Sequence, residues 1–213
     1  MNLILDNINP RTIEAKDITN SNIWGRNLIF NSKKNYLIRS VSGKGKSTLI
    51  NYLSGLRNDF DGQLIIGEIK SSELSLDNWI EKRKTEIALV NQDLKLISSL
   101  SVIENLFLKN ELTNHVNDET IYQYLKELGI FDLKNKKCNQ LSIGQQQRVA
   151  IVRSLLQPFG WILMDEPFSH LDENNQIIAL NLIIKVAENQ NAGVILTTLD
   201  TNQEIPHFKS IDL

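Results

Sequence analysis

Short apolar runs alternate with amphipathic segments along most of the chain. Five apolar runs predict β-strands, at residues 36–39, 63–66, 86–90, 161–164 and 194–196. Four segments with apolar residues at helical spacing predict helices, at residues 47–56, 119–130, 145–157 and 174–189. Strands that are apolar throughout and separated by helices are typical of a parallel sheet covered on both faces. The pattern therefore predicts the α/β fold class.

The middle of the chain is predominantly helical, from about Asn105 to Pro158. No internal repeat, low-complexity tract or linker rich in proline and serine separates it from the strands on either side. We therefore expect one domain over residues 1–213. Within it, residues 1–91 and 159–213 would form the α/β core, and residues 92–158 an inserted helical subdomain.

The composition argues against nucleic-acid binding, membrane-spanning segments and secretion. Among 213 residues, 25 acidic and 23 basic side chains give a net charge of −2, which offers no general attraction for nucleic acid. No apolar run approaches the roughly 18 residues that span a bilayer, and the first residues lack a secretory-signal pattern. The single cysteine, Cys138, agrees with a reducing compartment. We expect a cytoplasmic protein with no nucleic-acid partner, and any membrane role must come through another protein.

The strongest local motif runs from Ser40 to Thr48, between a predicted strand and a predicted helix. A phosphate-binding loop needs glycines where a side chain would block the phosphates, and the helix N-terminus after it favours an anion. Lys46 would reach the β- and γ-phosphates, and the Ser47 hydroxyl would bind Mg²⁺. Ser40 replaces the first glycine of the motif, so we expect strain at the loop entrance. The alternative is an ordinary glycine turn that caps a helix.

Two acidic residues, Asp165 and Glu166, directly follow the apolar strand at 161–164. The carboxyl end of such a strand borders the crevice in which open α/β sheets bind ligands. Asp165 can hold Mg²⁺ through water, and Glu166 can orient or deprotonate an attacking water. Taken alone, an apolar strand followed by two acids is a weak signal, and a strand end facing solvent is the default interpretation.

A third stretch, from Leu141 to Arg148, opens a helix about 20 residues before that strand. Ser142 is a good N-cap residue, and the apolar positions from Val149 onward give the helix a core face. By itself this stretch is a capped amphipathic helix with no ligand.

Taken together and in order, these motifs resemble the nucleotide-binding domains of ATP-binding cassette (ABC) proteins. In that family's order the Q-loop falls at 90–93, the signature at 141–145 and the D-loop at 169–172, with a segment similar to the family's LTVxEN at 100–106. The resemblance extends from about Ile13 to the C-terminus. It is greatest to cassettes of the lipoprotein-release, macrolide-efflux and cell-division type.

The resemblance implies a P-loop (RecA-like) core, a small antiparallel β-subdomain and an α-helical subdomain that carries the signature. It also implies that two cassettes dimerise head to tail around two ATP molecules, as a homodimer or a heterodimer. The implied ATP-binding residues are Ser42, Gly43, Lys44, Gly45, Lys46, Ser47, Thr48, Trp24, Ser142, Gly144, Gln145 and Asp172. The implied catalytic residues are Glu166, Lys46 and Gln92, and the implied Mg²⁺ ligands are Ser47, Gln92 and Asp165. Trp24 is the candidate for stacking on adenine, and a role in the β-subdomain core is its alternative.

The function implied is that of an ATP-binding and ATP-hydrolysing subunit that drives transport or mechanical work through a separate integral membrane permease. Gln92 would sense Mg²⁺ and the γ-phosphate, and the region from Gln92 to Leu106 would dock on the permease at the inner face of the membrane. Soluble ABC proteins of translation or DNA repair are a weaker option, since they generally carry two cassettes or a long coiled-coil insertion.

One departure from the family keeps a second interpretation open. Residues 196–200 read LTTLD, so Leu199 stands where the family has its switch histidine. Leucine offers no hydrogen-bond donor to the γ-phosphate, so we expect good ATP binding with slow turnover. The alternative function is therefore a regulatory nucleotide-binding cassette with weak hydrolysis.

Overall fold

A computed structural model describes residues 1–213 of the protein. The nine β-strands are β1 (Leu3–Pro10), β2 (Asn27–Phe30), β3 (Asn35–Arg39), β4 (Phe60–Ile66), β5 (Ile69–Lys70), β6 (Ile87–Val90), β7 (Trp161–Met164), β8 (Gly193–Thr198) and β9 (Phe208–Asp212). The seven α-helices are α1 (Ala15–Asn20), α2 (Lys46–Leu53), α3 (Leu76–Thr85), α4 (Val102–Asn110), α5 (Asp118–Glu127), α6 (Ile143–Ser154) and α7 (Glu173–Asn189). Short 3₁₀ turns cover Ser71–Glu73, Phe131–Leu133 and Cys138–Gln140. None of the helices combines the length and the apolarity needed to cross a bilayer.

A five-stranded sheet with the order β6-β7-β8-β3-β9 forms the centre of the molecule, and every neighbouring pair in it is parallel. The strands follow chain order from β6 to β9, except that β3, the first of them in the chain, lies between β8 and β9. Parallel pairing brings the carboxyl ends of these strands to one edge, where α/β proteins bind ligands. The α/β fold class is confirmed.

The strands of this sheet are buried on both faces, as their uniformly apolar sequences predict. All four residues of β7 are buried. Ile162 and Met164 pack with the core formed by α4 to α7, while Trp161 and Leu163 pack with the core beneath α2. The sheet therefore supplies a rigid base for the loops at its carboxyl edge.

A second sheet is antiparallel, with the order β2-β1-β4-β5. Buried side chains alternate along β1, so that one face covers the core shared with α2. Pairing of β1 with β4 shifts register between Asp6 and Asn9. Opposite this bulge, Gly62 has φ of +101°, and a Cβ there would lie 2.3 Å from the Asn7 carbonyl oxygen. This sheet forms the antiparallel part of the expected architecture.

Helices α4, α5 and α6 occupy the segment between β6 and β7. Each begins at a polar N-cap whose side chain accepts a backbone N–H: Ser101 for α4, Asn117 for α5 and Ser142 for α6. Glu104 and Gln145 complete capping boxes with the two serines. Because the caps fix where these helices begin, they also fix where Ser142 lies relative to the central sheet.

Candidate active site

The loop from Ser40 to Gly45 joins β3 to α2 at the carboxyl edge of the central sheet. Gly45 adopts φ of +104° at the start of α2, and a Cβ there would meet Ile13 Cδ1 at 2.4 Å. Gly43 has φ of +82° and open space around it. Both positions therefore need glycine for their left-handed backbone, and Gly45 also needs it for packing. The unpaired N–H groups of the first turn of α2 lie beside the loop and form an anion site.

The expectation of strain at Ser40 is wrong. Ser40 lies outside the left-handed region that favours glycine. Its N–H donates to the Thr198 carbonyl at 3.2 Å, and its hydroxyl donates to the Val41 carbonyl at 3.2 Å. A serine side chain is therefore accommodated at the loop entrance by ordinary backbone geometry.

The side chain of Lys46 lies inside the loop and is only 4% exposed. Its Nζ donates to the carbonyl oxygens of Ser40 at 2.8 Å and Val41 at 3.0 Å. It also lies 3.4 Å from Oε1 of Glu166, which is 9% exposed. The loop thus holds a buried positive charge that these three acceptors compensate.

Asp165 and Glu166 follow β7, and one hydroxyl on the neighbouring strand β8 holds both of them. Thr197 Oγ1 donates to Asp165 Oδ1 at 2.9 Å and accepts from the Glu166 N–H at 3.0 Å. Glu166 has φ of +50°, an uncommon conformation for a residue with a side chain. Sequence reasoning missed Thr197, although a hydroxyl at the end of an apolar strand was an available signal.

One cavity of about 270 Å³ brings most of the predicted site residues together. Its lining consists of Thr12, Ile13, Ser42, Gly43, Gly45, Lys46, Ser47, Thr48, Gln92, Glu166 and Leu199. A neighbouring cavity of about 580 Å³ shares Ser47 and Gln92 with the first and adds Asp165. The phosphate loop, the Q-loop and the acidic strand end therefore face two neighbouring cavities that share Ser47 and Gln92.

The oxygen atoms around the second cavity suit a hard cation. Ser47 offers a hydroxyl, Gln92 an amide oxygen, and Asp165 the carboxylate oxygen that Thr197 leaves free. Nowhere in the chain do three His, Cys, Asp or Glu side chains gather into a metal cluster. A cation at this position would therefore need further oxygen ligands, such as substrate phosphates and water.

Trp24 does not fit the role of an adenine platform. It is 1% exposed and packs edge-on against Tyr52, with ring centroids 6.1 Å apart. Its Nε1 donates to the Lys44 carbonyl at 3.3 Å. Because no face of the indole is free, stacking on adenine is corrected to the alternative role in the core. Lys44 itself points away from the cavity and forms an ion pair with Asp17 of α1.

The signature residues lie outside both cavities. Ser142 caps α6 by accepting from the Gln145 N–H at 3.3 Å, and Gln145 Oε1 accepts from the Ser142 N–H at 3.0 Å. A Cβ on Gly144 would lie 2.6 Å from the His170 carbonyl oxygen, so Gly144 allows α6 to pack against the D-loop. Ser142 is exposed to solvent.

Asp172 is also exposed and outside both cavities, and it caps α7. Its Oδ1 accepts from the Asn175 N–H at 3.0 Å, and hydrogen bonds from Asn175 lower the pKa of the Asp172 carboxyl. The structure of one chain therefore places Asp172 and the signature residues apart from Lys46 and Glu166.

Gln147 is a buried polar residue that sequence reasoning missed. Its Nε2 donates to the Glu166 carbonyl at 3.2 Å, and its Oε1 accepts from the His170 N–H at 3.1 Å. Helix α6 is thereby tied to the segment that carries the acidic residues. Within the run of three glutamines, nothing in a single sequence distinguishes this one from its partly buried neighbours.

Leu199 follows β8, is 47% exposed and lines the cavity with Lys46 and Glu166. The structure therefore places a hydrocarbon side chain at the position where the family resemblance expects a histidine.

Fold and site together define a P-loop nucleotide-binding protein, with a phosphate loop after β3 and an acidic strand end on β7. Comparisons with known proteins narrow the class. The sequence profile described as ABC transporter matches residues 25–169. The lipoprotein-releasing system ATP-binding protein LolD of Treponema denticola is 33% identical over 172 residues, which are 79% of this chain and 76% of that protein.

Two solved structures of MJ0796 from Methanocaldococcus jannaschii are similar over nearly the whole chain. Its dimeric structure as an ABC transporter cassette has a TM-score of 0.82 at 27% identity and covers 99% of this chain and 94% of that one. A dimeric post-hydrolysis structure bound to ADP and Pi has a TM-score of 0.80 at 28% identity, covering 95% and 89%.

The chain belongs to the ABC transporter family of ATP-binding cassettes, and among them it is similar to the lipoprotein-release type. It is an ATPase cassette that binds ATP. The comparisons give no support to the alternative of a regulatory cassette.

Proposed function

We propose that this cassette binds Mg-ATP in the two neighbouring cavities and hydrolyses it to drive a membrane transport complex. The observation that carries the proposal is the convergence of Lys46, Gln92 and Glu166 on one space beside the glycine loop. The backbone N–H groups of the loop and the Lys46 ammonium would bind the β- and γ-phosphates, with Ser42 and Thr48 beside them. Thr12 and Ile13, rather than Trp24, would border the base.

The oxygen donors of Ser47, Gln92 and Asp165 would hold Mg²⁺, which would neutralise charge on the phosphates. Glu166 would accept a proton from the attacking water while the water oxygen forms a bond to the γ-phosphorus. The bond between the γ-phosphorus and the oxygen that bridges the β- and γ-phosphates would then break, which leaves ADP and phosphate. Thr197 and Gln147 hold the Glu166 backbone at its N–H and carbonyl, so its carboxylate is positioned before substrate arrives.

The exposed signature favours a head-to-tail dimer. Ser142, Gly144 and Gln145 form the N-terminus of a 12-residue helix, and such a helix end favours an anion. None of the three lines the cavity beside this chain's own phosphate loop. Placed over the phosphates of a second cassette, this helix end would complete the partner's site, and Asp172 would lie at the same interface. The partner cassette would be a second copy of this chain or a related one.

A groove of about 310 Å³ on the helical region fits the permease partner. Its walls include the apolar Ile97, Leu108 and Leu112, and it also contains Lys109 and Arg153. Burial lowers the pKa of both cations, and no carboxylate compensates either of them. Such a surface is complementary to an amphipathic segment with acidic residues. A permease docked there would hold the cassette at the cytoplasmic face of the membrane.

The direct test of this assembly is ATP-dependent dimerisation of Glu166→Gln, which keeps the side-chain shape but removes the base. Gel filtration with light scattering should show a dimer with Mg-ATP and a monomer without nucleotide. The control is Lys46→Ala combined with Glu166→Gln, which should remain monomeric. Glu166→Gln that stays monomeric at saturating Mg-ATP, with bound nucleotide verified, would contradict the head-to-tail proposal.

A further inference from the structure

We infer that His170 acts in trans, where its imidazole supplies the partner's ATP site with the hydrogen-bond donor that Leu199 lacks. This inference rests on the head-to-tail dimer proposed above. It concerns a residue that lies outside the ATP cavity of its own chain.

The backbone of His170 is fixed to the signature helix. Its N–H donates to Gln147 Oε1 at 3.1 Å, and its carbonyl oxygen would be only 2.6 Å from a Cβ on Gly144. Gln147 is buried in α6, so both contacts join the D-loop to the same helix end. A movement that brings Gly144 to the partner's phosphates therefore brings His170 to them as well.

The imidazole of His170 is exposed and partly oriented. Its Nδ1 lies 3.0 Å from the hydroxyl oxygen of Ser169. When that hydroxyl donates to Nδ1, the neutral ring carries its proton on Nε2, which faces away from the Ser169 contact. The exposed imidazole is then a donor on the D-loop, whose backbone contacts the helix that Ser142 caps.

On the receiving side, Leu199 lines the cavity with Lys46 and Glu166 and is half exposed. Its hydrocarbon side chain has no donor that could stabilise charge on the transferring phosphoryl group. A histidine donor entering from the partner would contact the γ-phosphate there. A single chain has no such donor beside Leu199, whereas each site of the proposed dimer would have one from the partner.

The test compares turnover of five homodimers at saturating Mg-ATP: wild type, His170→Ala, His170→Gln, Leu199→His and the double variant that carries both His170→Ala and Leu199→His. His170→Ala should lower turnover by about 10²-fold, the typical loss for one preorganised donor, with nucleotide affinity nearly unchanged. His170→Gln, which keeps a donor, should retain more activity than His170→Ala. Leu199→His should add little to wild type but should restore most of the turnover lost in His170→Ala.

This rescue separates a catalytic role from a packing role, because a histidine inside the cavity cannot repair contacts between the D-loop and α6. Turnover of His170→Ala within twofold of wild type would overturn the inference. So would a double variant that is no faster than His170→Ala alone.

Mixed dimers test the trans arrangement. A mixture of Lys46→Ala chains with His170→Ala chains contains one composite site with an intact loop and an intact His170, and it should be active. Neither variant alone contains such a site, so each alone should have little activity. A mixture no more active than the sum of its two components would overturn the trans assignment.

Repeating the mixture with Ser142→Ala in place of His170→Ala tests the dimer itself. If Lys46→Ala chains regain activity when mixed with Ser142→Ala chains but not with His170→Ala chains, the role of His170 is refuted and the proposed function stands. Failure of the Ser142→Ala mixture together with a monomeric Glu166→Gln would instead refute the head-to-tail dimer.

Discussion

Thr197 connects the two acidic residues of the site through a single hydroxyl. It donates to Asp165 and accepts from the Glu166 N–H, while Lys46 lies 3.4 Å from the Glu166 carboxylate. All four residues are buried, so a group that loses its partner here is not rescued by water. At the scale of residues, a hydrogen bond to the N–H of Glu166 and an ion pair with its carboxylate hold this left-handed residue from both ends.

Replacing Thr197 with valine tests this network, because valine keeps the shape and removes the hydroxyl. It leaves the Glu166 N–H and one Asp165 oxygen without their partner, which should lower the free energy of unfolding by about 1–3 kcal/mol. Turnover should fall as well, since Glu166 is no longer held at its N–H. Thr197→Ser is the matched control and should stay close to wild type in urea unfolding and phosphate release. Equal turnover of the valine and serine variants would show that the hydroxyl does not position Glu166.

At the scale of elements, the strongly patterned segments were predictable and the weakly patterned ones were not. The apolar strands β3 and β7 and the helix α7 agree with the sequence pattern to within a residue or two. β9 was missed because it is an edge strand with three polar residues among five, of which only Ile211 is buried. Helix α2 ends at Leu53, earlier than predicted, because Gly55 turns the chain with φ of +68° against the ring of Trp79.

The candidate site was predictable where chemistry depends on chain order, as in the loop around Lys46 and the pair of acids. Contacts between distant segments were not predictable, since nothing in one sequence places Gln147 beside Glu166. The burial of Trp24 likewise depends on how the N-terminal segment packs over the loop. Tertiary packing, not local pattern, decides these positions.

The junction between α6 and the D-loop gives a prediction at this scale. Gly144→Ala would place a methyl group 2.6 Å from the His170 carbonyl oxygen, so the helix end and the D-loop must separate. Overpacking of this kind should lower the free energy of unfolding by about 1–3 kcal/mol and weaken ATP-dependent dimerisation. ATP binding by the monomer should be retained, because the phosphate loop is untouched.

Gly160→Ala is the matched control for that substitution. A Cβ on Gly160 would meet its nearest neighbour, the Glu86 carbonyl oxygen, at an ordinary 3.8 Å. Urea unfolding should therefore distinguish the two alanine variants. Equal stabilities would contradict the close packing of Gly144 against the D-loop.

At the scale of the whole molecule, the two cavities beside the phosphate loop are separate from the groove that contains Lys109 and Arg153. The segment after β6 joins these surfaces. Gln92 lines both cavities, and Ile97 lines the groove a few residues further along the chain. Ile97 is held to α4 through Asn105, whose side-chain oxygen accepts the Ile97 N–H at 2.9 Å. A change around Gln92 can therefore be transmitted to the groove through a short, hydrogen-bonded segment.

Reversing a charge in the groove should separate docking from nucleotide binding. Lys109→Glu should reduce the amount of cassette recovered on membranes that contain the proposed permease by about tenfold or more, because the new carboxylate would repel the acidic residues expected on that partner. ATP affinity measured by calorimetry should not change. Lys209→Glu, at an exposed lysine on β9, is the control and should bind membranes like wild type. Equal recovery of the two variants would place the permease elsewhere on the cassette.

The central claim is that Lys46 binds the phosphates and Glu166 activates water in a single ATP site. Steady-state phosphate release at saturating Mg-ATP, measured beside nucleotide affinity for wild type, Lys46→Ala and Glu166→Gln, tests it most directly. We predict turnover by wild type only, with ATP binding retained in Glu166→Gln and severely weakened in Lys46→Ala. A Glu166→Gln variant that hydrolyses ATP as fast as wild type, or a Lys46→Ala variant with unchanged affinity, would contradict this account.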